Sequence, residues 1–404
     1  MGGIKNKFKN TVVKRDGGMN ILTIDTEQTI QFKGDPFYAP NKLVCISYTG
    51  NKAGTGVVPV EYGDQPYGGN LAFVDGLVQR ADLLVGFNLK RDLHWLRRYG
   101  LKFSDKRVYC TQLGEFLLGG QLEMYPALDN VSVRYGLGSK LSRVATEYWD
   151  KGINTNQIPW DVLEEYAIDD AVKTYKIWQA QQILIANRND AFKKLVDISM
   201  EDLLVLEEME WNGFKYDVLG SKQAQQQLEQ ELIEIDHNLF AIVDCPHINW
   251  ASGDQLSAVL YGGKVVHEWK EQTGVFQTGA KQGQPRYSWY SKEYVFPRLV
   301  EPVRKLKKEG VFSTDEDTLS NLKARGKAKK IIDLILRRSK IEKLLGTYIK
   351  GIPDRIEEME WADHIVHGKY NQTVAVTGRL SSSEPNLQNN PPEVDQFFIS
   401  RYVD

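Results

Sequence analysis

Three cysteines in 404 residues, Cys45, Cys110 and Cys245, are too few and too scattered for a disulfide framework or a thiolate metal site. They read as small buried apolar residues in a reducing compartment. Long hydrophobic runs are missing too, so no membrane span is expected. The first twenty residues are basic and contain glycine without an apolar signal-peptide core, which predicts a loose extension over residues 1–19 of a cytoplasmic protein. The net charge of −2 argues neither for nor against a polyanionic partner. What is present is ample core material, 42% hydrophobic against 26% charged, enough for two or three domains.

The stretch Ile21-Leu22-Thr23-Ile24-Asp25-Thr26-Glu27 reads as a buried strand ending in two carboxylates. Side chains two apart on a strand point the same way, so Asp25 and Glu27 share a face. Two anions that close repel unless a hard cation uses their oxygens as ligands. An isolated Asp-x-Glu is more often a solvated strand end, so the weight must come from further along. Residues 43–48 and 56–60 read as strands, and 81–88 as a short apolar strand closing on Gly86 and Asn88. A helical pattern follows, with Asn88 and Asp92 at the strand-to-helix junction where open α/β sheets place ligands. A helix over about 160–183 carries a stripe of Leu163, Ala167, Ala171, Tyr175 and Trp178, and Asp161 with Glu164 has capping-box spacing. On it Tyr166 and Asp170 lie one turn apart on one side.

Asp25-x-Glu27, Asn88-x-x-x-Asp92 and Tyr166-x-x-x-Asp170, in this order, resemble the three exonuclease motifs of the DEDDy 3′-to-5′ exonucleases, the proofreading domain of DNA polymerases. The resemblance covers about residues 20–188 and implies an α/β, ribonuclease H-like domain, a mixed sheet with flanking helices. It departs at Arg91, where the family usually has an aromatic residue. By the same resemblance Asp25, Glu27, Asp92 and Asp170 are the ligands of two divalent ions, Mg²⁺ or Mn²⁺. Tyr166 orients the attacking water, Asn88 touches DNA, and the substrate is a single-stranded 3′ end. Two such ions clamp the attacking and leaving oxygens of a displacement at phosphorus.

The second half turns helical from about Phe192 and stops at Asn212-Gly213. Residues 209–217, 248–256 and 312–319 resemble segments of the thumb of family A DNA polymerases, which implies a mostly helical thumb over 189–350. Within it, residues 263–297 lack a clean period and read as an insertion or long loop. Between Pro302 and Leu345 thirteen Lys or Arg face six Asp or Glu, the footprint of a phosphate-binding segment or of a solvated helix face, with Arg337, Arg338 and Lys340 the candidate contacts to a primer-template duplex. Thr377-Gly378-Arg379-Leu380-Ser381 through Pro391 is similar to the family A signature that contacts primer and template at the start of the palm. Arg379 can reach minor-groove acceptors, while Asn386 and Gln388 can reach phosphate and sugar.

The palm aspartates, fingers helix and final His-Asp-Glu motif of that family do not follow before Asp404. The sequence therefore reads as the N-terminal part of a family A polymerase, with 351–404 an incomplete palm. It is either one piece of a split polymerase, suggesting a phage or mobile element in a bacterial or phage-infected cytoplasm, or a shortened form. A C-terminal chain with palm and fingers is the expected partner. A non-catalytic DNA-binding and assembly subunit is the rival reading.

Overall fold

The computed structural model describes residues 18–63 and 68–401. The loose extension expected over residues 1–19 falls almost wholly outside them. The chain divides into two compact units: residues 1–216 with 355–404, and residues 217–354.

The first unit is built on a five-stranded sheet. Its elements are β1 (Ile21–Gln28), β2 (Leu43–Gly50), β3 (Gly54–Pro59), α1 (Gly68–Arg80), β4 (Leu83–Gly86), α2 (Leu89–Arg98), β5 (Arg107–Cys110), α3 (Thr111–Leu118), α4 (Leu128–Arg134), α5 (Arg143–Glu147), α6 (Trp160–Ala186), α7 (Asp190–Asn212) and β6 (Phe214–Tyr216). Strand order is β3-β2-β1-β4-β5, with β1 antiparallel to β2 and parallel to β4. β1 is central, so its residues are covered on both faces; Ile21, Leu22 and Ile24 are at most 1% exposed. Fully burying each such side chain contributes roughly 1.5–3 kcal/mol. The pairing with β2 shifts between Glu27 and Gln28, where β1 leaves the ladder. The two carboxylates therefore stand in the C-terminal half of the central strand.

α6 lays Leu163, Ala167 and Ala171 into the core. Its start differs from the capping box expected of Asp161 and Glu164. Pro159 occupies the N-cap position and no side chain caps the helix, because Asp161 already lies inside the first turn, where its charge suits the helix dipole. α7 ends at Gly213, whose φ of +60° favours glycine. All three cysteines are buried and free.

The second unit contains α8 (Val218–Val243), α9 (Gly253–Tyr261), β7 (Gly263–Val275), β8 (Pro285–Phe296), α10 (Glu316–Asn321) and α11 (Gly326–Lys343), followed by a π-helical turn over Leu344–Ile349. The stretch read from sequence as a long loop is a β-ribbon, β7 pairing antiparallel with β8. It shows no apolar alternation because neither face is packed on a core; nearly all its residues are exposed. α12 (Gly351–Glu358) leads back to the first unit, which also holds β9 (Ile365–Val366), β10 (Lys369–Asn371), β11 (Ser381–Ser383), α13 (Pro392–Asp395) and β12 (Phe398–Ile399). β12, β6 and β9 form a small sheet in that order. No helix among the described residues is long and apolar enough to cross a membrane.

Candidate metal-binding carboxylate site

Each acidic side chain of the site reaches it by a different structural route. Asp25 and Glu27 leave the end of β1 on one face, as the two-residue period requires. Asp170 comes from the middle of α6, one turn beyond Tyr166. Carboxylate oxygens of Asp25, Glu27 and Asp170 all lie within 4.8 Å of one another. Asp92 sits in the first turn of α2 and is tied to the same strand: its Oδ1 accepts hydrogen bonds from Thr26 N at 3.0 Å and Thr26 Oγ1 at 2.6 Å. All four line one cleft of about 410 Å³ together with Tyr166, Asn88, Arg91, Lys140 and Trp149.

Crowding of this kind shows in the proton affinities. Burial first, and then the neighbouring anions, hold Asp25 well above the usual carboxylate range. Burial raises Glu27 to about 8 and Asp92 to about 7. Asp170 is raised too, again chiefly by burial, with Lys140 pulling the other way. Its buried Oδ1 has no hydrogen-bond partner. The donor set is all hard oxygen, negatively charged and under-satisfied, which fits Mg²⁺ or Mn²⁺.

Tyr166 is buried at 3% exposure, its ring packed edge-on against Trp149 with centroids 5.5 Å apart. Burial, then the charges of Glu27, Asp170 and Asp25, push its hydroxyl pKa far above the usual phenol value. A hydroxyl held in its protonated form in this way is suited to donating a hydrogen bond.

Lys140 is the cation that sequence reasoning missed. Its Nζ lies 2.5 Å from Asp170 Oδ2 and 4.6 Å from the centre of the Tyr166 ring. It sits on the connection between α4 and α5, held where its backbone N–H donates to Asp129 and where Lys173 Nζ reaches Ser139 O at 2.6 Å. Burial disfavours its charge, yet Asp170 and Glu27 outweigh burial and its pKa is raised. No periodic pattern marks a lone lysine in a loop, so nothing local announced it. Arg91 donates to the carbonyls of Lys33 and of Gly34, the latter at 3.1 Å, while its charge pulls down the proton affinity of Glu27 and Asp92. Asn88 is exposed at the N-cap of α2, with φ +56°.

The DNA-contact candidates stand elsewhere. Arg379, Asn386 and Gln388 are exposed in the segment around β11, where Asn386 Oδ1 accepts from Gln388 N at 3.0 Å. Arg337 and Arg338 are already engaged within the second unit: Arg337 makes a two-bonded pair with Glu231, and Arg338 contacts Asp236 and Glu342. A phosphate there would have to compete with these pairs. Lys340 is exposed on the same helix.

Residues 291–401 match the profile of DNA polymerase family A. The chain is related to the family A DNA polymerases. DNA polymerase I of Bacillus subtilis (strain 168) is 28% identical over 312 residues, covering 77% of this chain and 30% of that protein. The DNA polymerase of Bacillus phage SP01 is 24% identical over 399 residues, 91% of this chain and 41% of that one. The chain thus spans well under half the length of these family A relatives. In fold it is similar to the POL domain of Pol1 from M. smegmatis, solved in complex with DNA primer-template and dNTP, at a TM-score of 0.65 and 17% identity over 95% of this chain and 55% of that one.

Proposed function

We propose that the first unit is a ribonuclease H-like, metal-dependent 3′-to-5′ DNA exonuclease that proofreads for a family A DNA polymerase. The observation that carries this is the meeting of Asp25, Glu27 and Asp170 within 4.8 Å, with Asp92 fastened beside them through Thr26. A carboxylate cluster that holds protons for want of cations is costly in a fold unless cations belong there.

Asp25, Glu27 and Asp170 would hold one divalent ion, with Asp92 helping Asp25 to hold a second. When bound, such ions supply Lewis acidity to the phosphate and to water. The chain's own residues do the rest. Tyr166, protonated and wedged between Trp149 and Lys140, donates a hydrogen bond that orients the incoming water, and cannot serve as its base. Lys140 holds Asp170 in place and offsets charge while the site is being filled. Asn88, exposed at the cleft's rim, is placed to touch the sugar–phosphate of the terminal nucleotide. Arg379, Asn386 and Gln388, in the segment that matches the family profile, serve as contacts to primer-template duplex.

The test is degradation of a 3′-labelled single-stranded oligonucleotide by the purified chain. Activity is expected with Mg²⁺ or Mn²⁺ and lost in EDTA. Replacing Asp25 and Glu27 together by Ala should lower the rate on the order of 10³-fold or more, since each ion contributes several kcal/mol to the transition state. A double variant with parental activity would return the chain to the reading of a non-catalytic DNA-binding subunit.

A further inference from the structure

The β7–β8 ribbon of the second unit presents what a single-stranded polynucleotide requires: exposed rings for its bases and lysines for its phosphates. We propose that this ribbon is a binding site for single-stranded DNA, which stacks bases on Tyr287 and Trp289 and lays its backbone along the flanking basic residues.

The argument starts from what folding does not need. A two-stranded ribbon has no core of its own and is marginally stable in water. Here only Val265, near the base, is buried. Exposed ribbon positions can be polar at no cost to the fold, yet residues 263–296 contain Trp269, Phe276, Tyr287, Trp289, Tyr290, Tyr294 and Phe296. Exposed apolar rings gathered in one place mark an interaction surface.

The strand register sorts these rings into two groups with different tasks. On one face His267, Trp269, Tyr290, Lys292 and Tyr294 lie together, since His267 pairs with Lys292, Trp269 with Tyr290 and Val265 with Tyr294. Their rings are occupied with one another: His247 stacks on His267 at 3.8 Å and 7°, His267 on Trp269 at 5.4 Å, and Trp269 on Tyr290 at 5.9 Å. This ladder stiffens the ribbon in place of a core. The opposite face carries Lys264, Val266, Lys270, Tyr287 and Trp289. Trp289 is 67% exposed and Tyr287 55%. Two residues apart on one strand, they stand about 6.8 Å from each other along the chain, with room for a base against each.

Charge selects the occupant. Lys270 Nζ lies 4.5 Å from the Trp289 ring centre, so a phosphate drawn to that lysine brings its base to the ring. Between residues 263 and 308 ten Lys or Arg face four Glu, and one of those glutamates, Glu293, is taken up by Lys264 at 2.9 Å. A protein-binding patch is expected to be depleted of charge at its centre, whereas a groove of rings interleaved with cations is the common design for single strands. Duplex DNA keeps its bases stacked inside and offers no ring face to Trp289. The choice of DNA over RNA rests on the proofreading function proposed above; the choice of a single strand does not.

The test is fluorescence anisotropy of labelled (dT)20 with the full chain in EDTA, which stops degradation. Each base–ring stack is worth about 1–3 kcal/mol, or roughly 5- to 150-fold in affinity, so Tyr287→Ala with Trp289→Ala should raise Kd at least tenfold. The Tyr287→Phe, Trp289→Phe pair keeps the rings and should restore most of the binding. Lys264→Ala with Lys270→Ala, the lysines on the face of Tyr287 and Trp289, should flatten the salt dependence by up to about 0.7 in log–log slope for each phosphate no longer neutralised. Affinity for a blunt duplex should change less than twofold in the ring variant. Unchanged (dT)20 affinity, an equal loss for duplex, or tighter binding of (rU)20 than of (dT)20 would each overturn the proposal. So would normal (dT)20 binding combined with loss of a copurifying protein, which would assign the ribbon to a protein partner. The rate of tetranucleotide degradation with Mg²⁺ separates the two readings. Its absence from both parent and variant sinks the exonuclease alone, and a ring variant that binds (dT)20 normally sinks the ribbon site alone.

Discussion

The first unit holds two buried clusters of acids, and they answer burial in opposite ways. At the end of β1, Lys140 acts on Asp25, Glu27 and Asp170 and Arg91 on Glu27 and Asp92, yet all four keep raised proton affinity. Between α2 and α7, Glu207 and Glu210 are equally buried but are met by His94, Arg97 and Lys90, and both have lowered proton affinity despite burial. Glu210 alone accepts from Lys90 at 2.6 Å, from His94 at 2.8 Å and from the Tyr370 N–H at 2.6 Å. The second cluster sets His94, Arg97 and Lys90 against its two acids, with His94 Nδ1 3.2 Å from Glu207 Oε1, and binds α2, α7 and β10 together. The first is incomplete, which is why it reads as a site.

Exchanging the damage between the two clusters tests that contrast most sharply. Asp170→Ala removes one of several crowded anions, so exonuclease activity should fall on the order of 10³-fold or more while metal-free stability is kept. Glu210→Ala strands a lysine, a histidine and a backbone N–H in the interior. It should lower unfolding free energy by about 3–5 kcal/mol, the usual cost of breaking a buried ion pair from one side. Oligonucleotide degradation and urea unfolding on both variants read the two effects. If Asp170→Ala destabilises as much as Glu210→Ala, the two clusters are both structural and the contrast fails.

Tyr166→Phe probes the first cluster without touching a carboxylate. The ring would still pack against Trp149, and only the hydroxyl is removed. A rate fall of roughly 10²- to 10³-fold is expected for the loss of one positioned hydrogen-bond donor. Because Tyr166 remains protonated, the variant should keep the parent's pH profile; a changed profile would mean that the hydroxyl does titrate in the reaction.

Why one cluster was legible in sequence and the other was not follows from their construction. Asp25 and Glu27 are two apart on a strand, and Tyr166 and Asp170 four apart on a helix. Local periods thus put each pair on one face, and motif order joined the pairs. The five-strand sheet was partly legible for a like reason: β1, β2 and β4 are apolar runs closed by Gly, Asn or acids. Glu207 and Glu210 look like any helix flank until α2 is laid beside α7, since their partners are more than a hundred residues away. Lys140 was hidden because a lone lysine in a loop belongs to no periodic pattern, and the ribbon because an element exposed on both faces carries no apolar alternation. Arg337 and Arg338 drew notice as surplus charge, yet their carboxylate partners lie about a hundred residues upstream on α8.

The smallest effect expected is in pH, and it belongs to the second cluster. Burial works against the charge on His94, but its contacts with Glu207 and Glu210 outweigh burial, and its pKa is raised above the ordinary 6.5. A histidine raised in the folded state contributes stability that is whole below about pH 6.5 and is lost as pH rises through the folded value. The groups facing it are Glu207 and Glu210 from α7, with Lys90 and Arg97 bonded to those acids from its own helix, and the buried His367 near them. His367 is shifted the other way, lowered chiefly by burial, so it matters only on the acid side; without metal, Glu27 and Asp92, raised to about 8 and about 7, lose stability in the same window as His94. In EDTA the melting temperature should therefore decline on the order of a few degrees as pH rises above 6.5, and His94→Gln should remove only its own share, leaving the decline that belongs to the β1 carboxylates. Saturating Mg²⁺ should raise the curve and, by keeping the first cluster ionised, cancel that cluster's share, so that the slope remaining is the one His94→Gln removes. A slope that survives His94→Gln in saturating Mg²⁺ would take the pH dependence away from His94 and erase the distinction between a cluster balanced by its own cations and one with an excess of carboxylates.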